Sequence, residues 1–159
     1  MPEIRDARPA DRPVIIRFMA ALQDFERALE PHRADGAEMA EAHLTAMEAW
    51  LSAHPAGAQL VAEEEGQLVG WLLSGIEEPD GAMVPAFARQ TGWIRDLWVE
   101  PEARGKGVAR ALIAAAEARF LAHGIRRIEL AAVAGNTRAI SLYRALGFAD
   151  YELTLGKTL

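Results

Sequence analysis

The chain of 159 residues contains no cysteine. Disulfides, thiol nucleophiles and thiolate metal sites are thereby excluded together. Its four histidines, His32, His43, His54 and His123, fall at helix ends or faces and show no paired spacing for a metal ion, so no metal is expected and none of the four is assigned to catalysis. No apolar run reaches membrane-spanning length, and Met1-Pro2-Glu3-Ile4-Arg5 lacks the apolar core of a signal peptide; the expectation is a soluble, cytoplasmic protein with no membrane partner. A basic excess is missing as well. With 17 Lys and Arg against 23 Asp and Glu, the net charge is −6, which supplies no basic face for nucleic acid and inclines the chain toward a cationic partner such as an amine. Linker-like and low-complexity stretches are absent, so residues 1–159 read as one domain. The 51% hydrophobic content suffices for a single core.

The chain divides into recognisable elements. Residues 3–8 suit a short strand. Pro9-Ala10-Asp11 then opens a helix to about Leu29, with Asp11 as candidate N-cap and Ile15, Phe18, Met19, Leu22 and Phe25 on one face. A second helix follows Asp35, with Glu38 placed as in a capping box and Ala40, Leu44, Met47 and Leu51 on one side; His54-Pro55-Ala56-Gly57 stops it. Residues 59–63 and 67–76 are β-rich and joined by Glu64-Glu65-Gly66, a hairpin signal. The segment from Glu77 to residue 92 is irregular yet carries Met83, Val84 and Phe87; these apolar residues either cap a core edge or form a flap over a cleft. A strand through Trp93–Val99, a helix to about His123, a strand over 126–133, a helix from Asn136 or Thr137 to Gly147 and a strand over 148–155 complete the order β-α-α-β-β-β-α-β-α-β. That order implies an α/β or α+β domain with helices packed on a mixed sheet.

One stretch breaks a local rule. The unpaired N–H groups and positive dipole end of a helix N-terminus favour acidic residues in its first turn. At the start of the helix after Val99, however, stand Arg104, Lys106 and Arg110, with Glu100 and Glu102 lying before the glycine turn. Three cations there call for an anion as partner, and Gly105 and Gly107 let it approach the bare amides. A dinucleotide or nucleoside-triphosphate loop is set aside, because Gly105-Lys106-Gly107-Val108-Ala109-Arg110 has neither a third glycine nor a Gly-Lys-Ser/Thr ending.

Arg104-Gly105-Lys106-Gly107-Val108-Ala109 resembles the R/Q-x-x-G-x-G/A signature of the GNAT superfamily of acetyl-CoA-dependent N-acetyltransferases. Asn136 to Phe148 matches a second pattern of that family, N-x-x-A-x-x-L-Y-x-x-L-G-F, at every fixed position. The likeness is strongest from about Ile94 to Phe148. It implies a mixed, mostly antiparallel sheet of six or seven strands flanked by about four helices, and acetyl-CoA as cosubstrate. The pyrophosphate would lie at Arg104, Gly105, Lys106, Gly107, Val108, Ala109 and Arg110. Backbone groups of Leu97, Trp98 and Val99 would hold the thioester and pantetheine arm, Asn136 would contact the cofactor, and the Tyr143 hydroxyl would face the coenzyme sulfur. Each residue also has a plain structural role: Asn136 is a good N-cap, Gly147 a helix-ending glycine, and Tyr143 lies on an apolar stripe.

Acyl transfer to an amine needs a deprotonated nucleophile, a stabilised oxyanion and a proton for the leaving thiolate. An ammonium titrating near ~10 is about one part in a thousand free amine at neutral pH, so a base is wanted. Asp96 is the first candidate, on the strand leading into the glycine loop. A regular pleat puts it opposite in facing to Leu97 and Val99, although the bulge usual in this strand of the family can invert that, and an ion pair with Arg95 or Arg126 or a backbone hydrogen bond is its structural alternative. Glu26, on the first helix, is the second candidate, against a solvated helix face; Glu129 is the third. The leading expectation is an N-acetyltransferase acting on a small-molecule or peptidyl primary amine by direct attack. The alternative is a coenzyme A-binding sensor without turnover. Dimers are frequent among relatives, which leaves a homodimer open. Residues 11–54 and 77–92 match no pattern that specifies the acceptor.

Overall fold

The computed structural model describes residues 1–159. Five strands form one sheet in the order β1 to β5: β1 (Glu3–Asp6), β2 (Ala58–Glu64), β3 (Gln67–Glu77), β4 (Thr91–Val99) and β5 (Ile128–Leu130). The first four run antiparallel to their neighbours, and β5 pairs parallel to β4. Helices α1 (Arg12–Leu29) and α2 (Gly36–Leu51) precede the β2–β3 hairpin, α3 (Val108–Ala122) links β4 to β5, and α4 (Thr137–Ala145) follows β5. The sheet has a core on each face. Leu60, Leu72 and Ile94 pack with Val108, Leu112, Ala116 and Phe120 of α3 on one side. Val61, Trp71, Leu73 and Trp98 pack with Ile15, Phe18, Met19 and Leu22 of α1 and Ala40 and Leu44 of α2 on the other. The alternation along β2 and β3 is the two-residue period of a sheet buried on both faces.

The expected helices form close to their sequence bounds, with differences at the caps. Asp35 caps α2 by accepting from the Ala37 N–H. Asp11 holds the N-cap position of α1 without a side-chain cap bond; its carboxylate instead accepts from the Arg8 N–H and from Arg5, closing a 3-10 turn over Pro9–Asp11. The Gly36 N–H donates to Asp24 Oδ1 at 2.8 Å, and a Cβ on Gly36 would lie 2.2 Å from the Ala20 carbonyl oxygen, so α2 sits against α1 with no room for a side chain at that point.

Two strand expectations fail. The sheet has five strands rather than six or seven, because residues 148–155 form no ladder. Their apolar alternation suits a strand, but a strand exists only through its partner. Here Arg144 holds Asp150, and the Arg127 guanidinium lies over the Tyr151 ring at 4.3 Å, while Tyr151, Leu153 and Leu155 face outward. The strand expected over 126–133 shortens to Ile128–Leu130, since its pairing with β4 ends at Ile94–Leu130.

That early end coincides with a break in β4. Leu73 of β3 pairs with Asp96 and Ser74 with Ile94, which leaves Arg95 as an extra, unpaired residue. Ile94 packs toward α3, whereas Arg95 reaches Trp50 of α2 and Asp96 reaches His43 of α2. Two successive side chains therefore point to one face, which defines a β-bulge. Beyond it Leu97 and Val99 pack on the α3 side and Trp98 on the α1 side. Asp96 is opposite in facing to Leu97 and Val99, as expected; the bulge inverts the facing of the residues before it.

Candidate active site

A cleft of about 810 Å³ opens where β4 and β5 part. Its walls include Ile94 to Val99 on one side and Leu130 to Val133 on the other, each run starting at the last ladder pair, Ile94–Leu130, and continuing past it. The backbone of β4 supplies its first chemical feature. The Glu100 N–H donates to the Val69 carbonyl of the β3 side. In an antiparallel ladder the inward-bonding residues recur every second position, so Trp98 and Asp96 bond toward β3, and the N–H groups of Leu97 and Val99 point to the open edge. The Val99 carbonyl on that edge accepts from Arg104 Nε at 2.9 Å. Left over are polar donors aimed into the cleft.

The glycine loop supplies the second. Gly105 and Gly107 have φ of 78° and 85°, in the left-handed region that glycine enters freely. Nothing lies within 4 Å of a Cβ built on either, so backbone conformation, not crowding by the protein, makes glycine the fitting residue there. Gly107 is the N-cap of α3 and its side gives no cap bond. The N–H groups of residues 105–110 donate to no acceptor within the protein, and neither Glu100 nor Glu102 reaches them. Free amides, the positive end of α3 and Arg110 together have the chemistry that suits an anion. Gly105, Gly107, Val108, Ala109 and Arg110 line the cleft, as does Asn136, whose Oδ1 caps α4 by accepting from the Ala139 N–H at 3.2 Å. Lys106 does not line it and stands in solvent. Arg104 does, but its guanidinium is laid over Trp98 at 4.7 Å and Phe25 at 5.8 Å. It braces the loop against β4 and α1 as much as it offers charge. Arg138 of α4, absent from the sequence reading, adds a cation to the wall.

Tyr143 projects from α4 into the same space, edge-on to Phe148 with ring centroids 6.1 Å apart. Burial, and then the charge of Glu26, push its hydroxyl up to about 12. Across the cleft, on the α1–α2 side, stand two carboxylates. Glu26 is ion-paired with Arg33 at 2.9 Å; burial raises its pKa, with the Asp96 charge adding and Arg33 opposing. Its half-buried place in the cleft is not the solvated face that periodicity allowed. Asp96 is only 7% exposed, and its Oδ2 lies 3.1 Å from His43 Nε2. Neither Arg95 nor Arg126 is its partner. Arg95 instead pairs with Glu77 and is sandwiched between Trp50 and Trp93, 5.1 Å from each ring. The hydrogen bond to Asp96 raises the His43 pKa against the opposing effects of burial and Arg95.

His43 is the residue that sequence reasoning missed. The available signal was its place on the apolar side of α2, three residues after Ala40 and four before Met47, a poor location for a solvated histidine. Glu129 pairs with Arg127 at 2.7 Å and stays outside the cleft. So does the whole segment between β3 and β4: Met83 and Phe87 are 81% and 82% exposed, beside His123 and Gly124 for the latter, at the far end of β4 from the glycine loop. No part of it closes over the cleft.

Residues 19–148 match the acetyltransferase (GNAT) family, and the chain belongs to it. Among its relatives, a mycothiol acetyltransferase of Cellulomonas flavigena is 38% identical over 122 residues, which cover 74% of this chain and 34% of that one. The chain thus spans about a third of that relative's length. The fold is shared with the apo aminoglycoside antibiotic 6'-N-acetyltransferase AAC(6')-IG of Acinetobacter haemolyticus, at TM-score 0.73 and 22% identity over 99% of this chain and 97% of that one. It is also shared with aminoglycoside N-acetyltransferase AAC(6')-Iy in complex with CoA, at TM-score 0.68 and 22% identity over 100% and 95% of the two chains.

Proposed function

We propose that the protein transfers an acetyl group from acetyl-CoA to a primary amine by direct attack within a ternary complex. The observation that carries this reading is one continuous cleft. It joins the unbonded amides of residues 105–110 to the open-edge amides of Leu97 and Val99, and these to Tyr143 and the carboxylates beyond. Amides and helix dipole at 105–110 suit the diphosphate of coenzyme A, with Arg110 and Arg138 as further cations. Oxyanion charge on the thioester carbonyl is met by the preoriented N–H groups on β4, which need no reorganisation as the charge develops. No covalent enzyme intermediate is required, in keeping with a chain that has no cysteine.

Magnitudes define what Tyr143 can do. Burial pushes its hydroxyl up to about 12, above the ~8.5 of a thiol. Full proton transfer from tyrosine to thiolate is uphill. Tyr143 therefore acts as a hydrogen-bond donor and relay. It passes a proton to sulfur as it receives the one shed by the newly acylated nitrogen, and that pairing is downhill overall.

The acceptor end favours a monoamine with an apolar body over a polycation. Glu26 already has Arg33 and Asp96 has His43, so the carboxylates are answered by cationic or hydrogen-bonding partners, and Leu22, Phe25 and Met39 line the wall between. The aminoglycosides named for the structural neighbours are acceptors to be tried. Calorimetric titration with coenzyme A, followed by a hydrolysis-corrected thiol-release screen over polyamines, amino acids, aminosugars, aminoglycosides and N-terminal peptides, tests the reading. Micromolar binding and thiol release with at least one amine are expected. No affinity for coenzyme A removes the proposal, and binding without transfer to any amine leaves a coenzyme A sensor in its place.

A further inference from the structure

Three groups at the acceptor end can take a proton, and their surroundings rank them. Glu26 is committed to Arg33 at 2.9 Å. Asp96 is buried, with Oδ2 engaged by His43 Nε2 at 3.1 Å. His43 is the more open of that pair, with a side chain 29% exposed against 9% for Asp96, and it lines the cleft. Its Nδ1 makes no hydrogen bond in the protein. With Nε2–H donated to the carboxylate, Nδ1 holds the free lone pair.

The chemistry orders them the same way. An ordinary carboxyl near ~4 is about six powers of ten too weak a base for an ammonium near ~10; burial narrows that gap at Glu26, but an imidazole near ~6.5 starts short by only three to four, and Asp96 raises His43 further. Proton transfer is most effective when donor and acceptor are closely matched near the working pH. The charged groups acting on His43 are Asp96 and Arg95 from β4; Glu26 from α1, Arg33 from the α1–α2 connection and Tyr143 from α4 line the same cleft. Asp96 dominates and favours the protonated imidazole; Arg95 opposes it. The Arg95 bulge makes the pair geometrically available. A strand that alternated regularly from Ile94, which faces α3, would carry Asp96 to the same α3 side, away from α2.

We propose that His43 is the general base, accepting the proton of the substrate ammonium on Nδ1, and that Asp96 is the positioning residue that fixes its tautomer through Nε2–H. This rests on the acetyltransferase reading above. The proton taken by His43 leaves to solvent. The freed nitrogen lone pair forms the C–N bond, the C–S bond breaks, and the second nitrogen proton replaces the one that Tyr143 gives to sulfur. One ammonium and one thioester become one amide, one thiol and one proton.

The test measures kcat/KM from pH 5.5 to 9 with acetyl-CoA and the amine giving the highest turnover in the screen, for the unmodified protein, H43Q, H43A and D96N, with coenzyme A affinity measured calorimetrically for each. H43Q is expected to lose 10²- to 10⁴-fold in kcat/KM at pH 7 while binding coenzyme A as before. Added imidazole should restore part of the activity of H43A. D96N should move the acidic limb of the profile to lower pH, and nitrogen-detected NMR titration of His43 should move with it. A histidine of purely structural value would show neither rescue nor a displaced limb. H43Q within about threefold of the unmodified protein, or an acidic limb unchanged in H43Q, overturns the assignment and leaves the acetyltransferase reading intact. If the unmodified protein binds no coenzyme A and releases no thiol with any amine, the parent reading fails and this one with it.

Discussion

Replacing Gly107 by alanine separates two reasons for a glycine at the anion site. Its φ of 85° is one that an L-residue adopts at a cost, about 1–2 kcal/mol. Because no atom of the protein lies within 4 Å of the added Cβ, that conformational cost is the whole expected effect on the free protein. The strain can be expressed in two ways. If the loop holds its shape, the strain stays in the folded state, and the melting temperature falls by about 2–8 °C for a chain of this size while coenzyme A affinity is unchanged. If the loop relaxes, stability is spared, but binding must restore the conformation and the dissociation constant rises by up to about 5- to 30-fold. The two losses, expressed as free energies, should sum to about 1–2 kcal/mol. Thermal denaturation with and without coenzyme A, plus calorimetry, measures both. D-alanine at 107, introduced by ligation, accepts positive φ without strain and should abolish both losses. If D-alanine weakens binding as much as L-alanine does, close approach of the ligand to the bare Cα is the reason for glycine, and the conformational argument is refuted.

Tyr143→Phe should leave coenzyme A affinity within about twofold and lower kcat by about 10- to 100-fold, at or below the lower end of the ~10²–10⁴ range for a proton-transferring group, as expected of a hydroxyl that relays a proton rather than supplying one alone; stopped-flow thiol release reads this. His43 gives a stability signature with a fixed sign. Its folded pKa is raised by Asp96, so its contribution is complete below the unfolded value of about 6.5 and is lost as pH rises through the folded value. The melting temperature of the unmodified protein should therefore fall relative to that of H43Q as pH goes from about 6 to 8, in paired scans. Gly36→Ala drives a Cβ to 2.2 Å from the Ala20 carbonyl oxygen, and since backbone cannot rotate away, a loss of about 1–3 kcal/mol is expected by urea denaturation. The same change should weaken the His43–Asp96 contact by displacing the start of α2, seen as a lowered His43 pKa by NMR.

Elements set by one-dimensional patterns were legible in the sequence. Of the stripe Ile15, Phe18, Met19, Leu22 and Phe25 on α1, the first four are buried as their spacing requires while Phe25 stays exposed at the cleft, and Glu64-Glu65-Gly66 turns the β2–β3 hairpin with positive φ at Glu65 and Gly66. The glycine turn was legible too: Gly105 and Gly107 take the positive φ their sequence position suggested, although of the three cations flagged there Lys106 stands in solvent and Arg104 is laid over Trp98. Features that depend on which element lies beside which were not legible. The apolar alternation of 148–155 could not reveal that no strand pairs with it. The charge and periodicity of Glu26 fit a solvated face until α2 and Arg33 close over it. His43 looked like one of several helix histidines, because only the packing of α2 on the sheet and the bulge next to Asp96, itself 53 residues later in the chain, bring its carboxylate to 3.1 Å.

Deleting Arg95 tests what the β4 bulge does. In β4 the side chains of Ile94 and Asp96 already face opposite sides. Removal of the single residue between them therefore leaves a regular alternation, with Ile94 still toward α3, Asp96 still toward His43, and Leu97 and Val99 where they are. The direct losses are the stacking of Arg95 on Trp50 and Trp93, about 0.5–1 kcal/mol each at partly exposed sites, and its ion pair with Glu77. A straightened β4 regains ladder bonds, because β5 can continue to pair past Ile94–Leu130. That gain is what should abolish function: the Leu97 and Val99 amides would be spent on β5, and the cleft between the two strands would close. The deletion variant is expected to fold with unchanged far-ultraviolet circular dichroism and a melting temperature within a few degrees of the unmodified protein. It should lose at least tenfold in coenzyme A affinity. Retained affinity in a folded deletion variant would mean that β4 and β5 part for some other reason, and that the open-edge amides do not owe their freedom to Arg95.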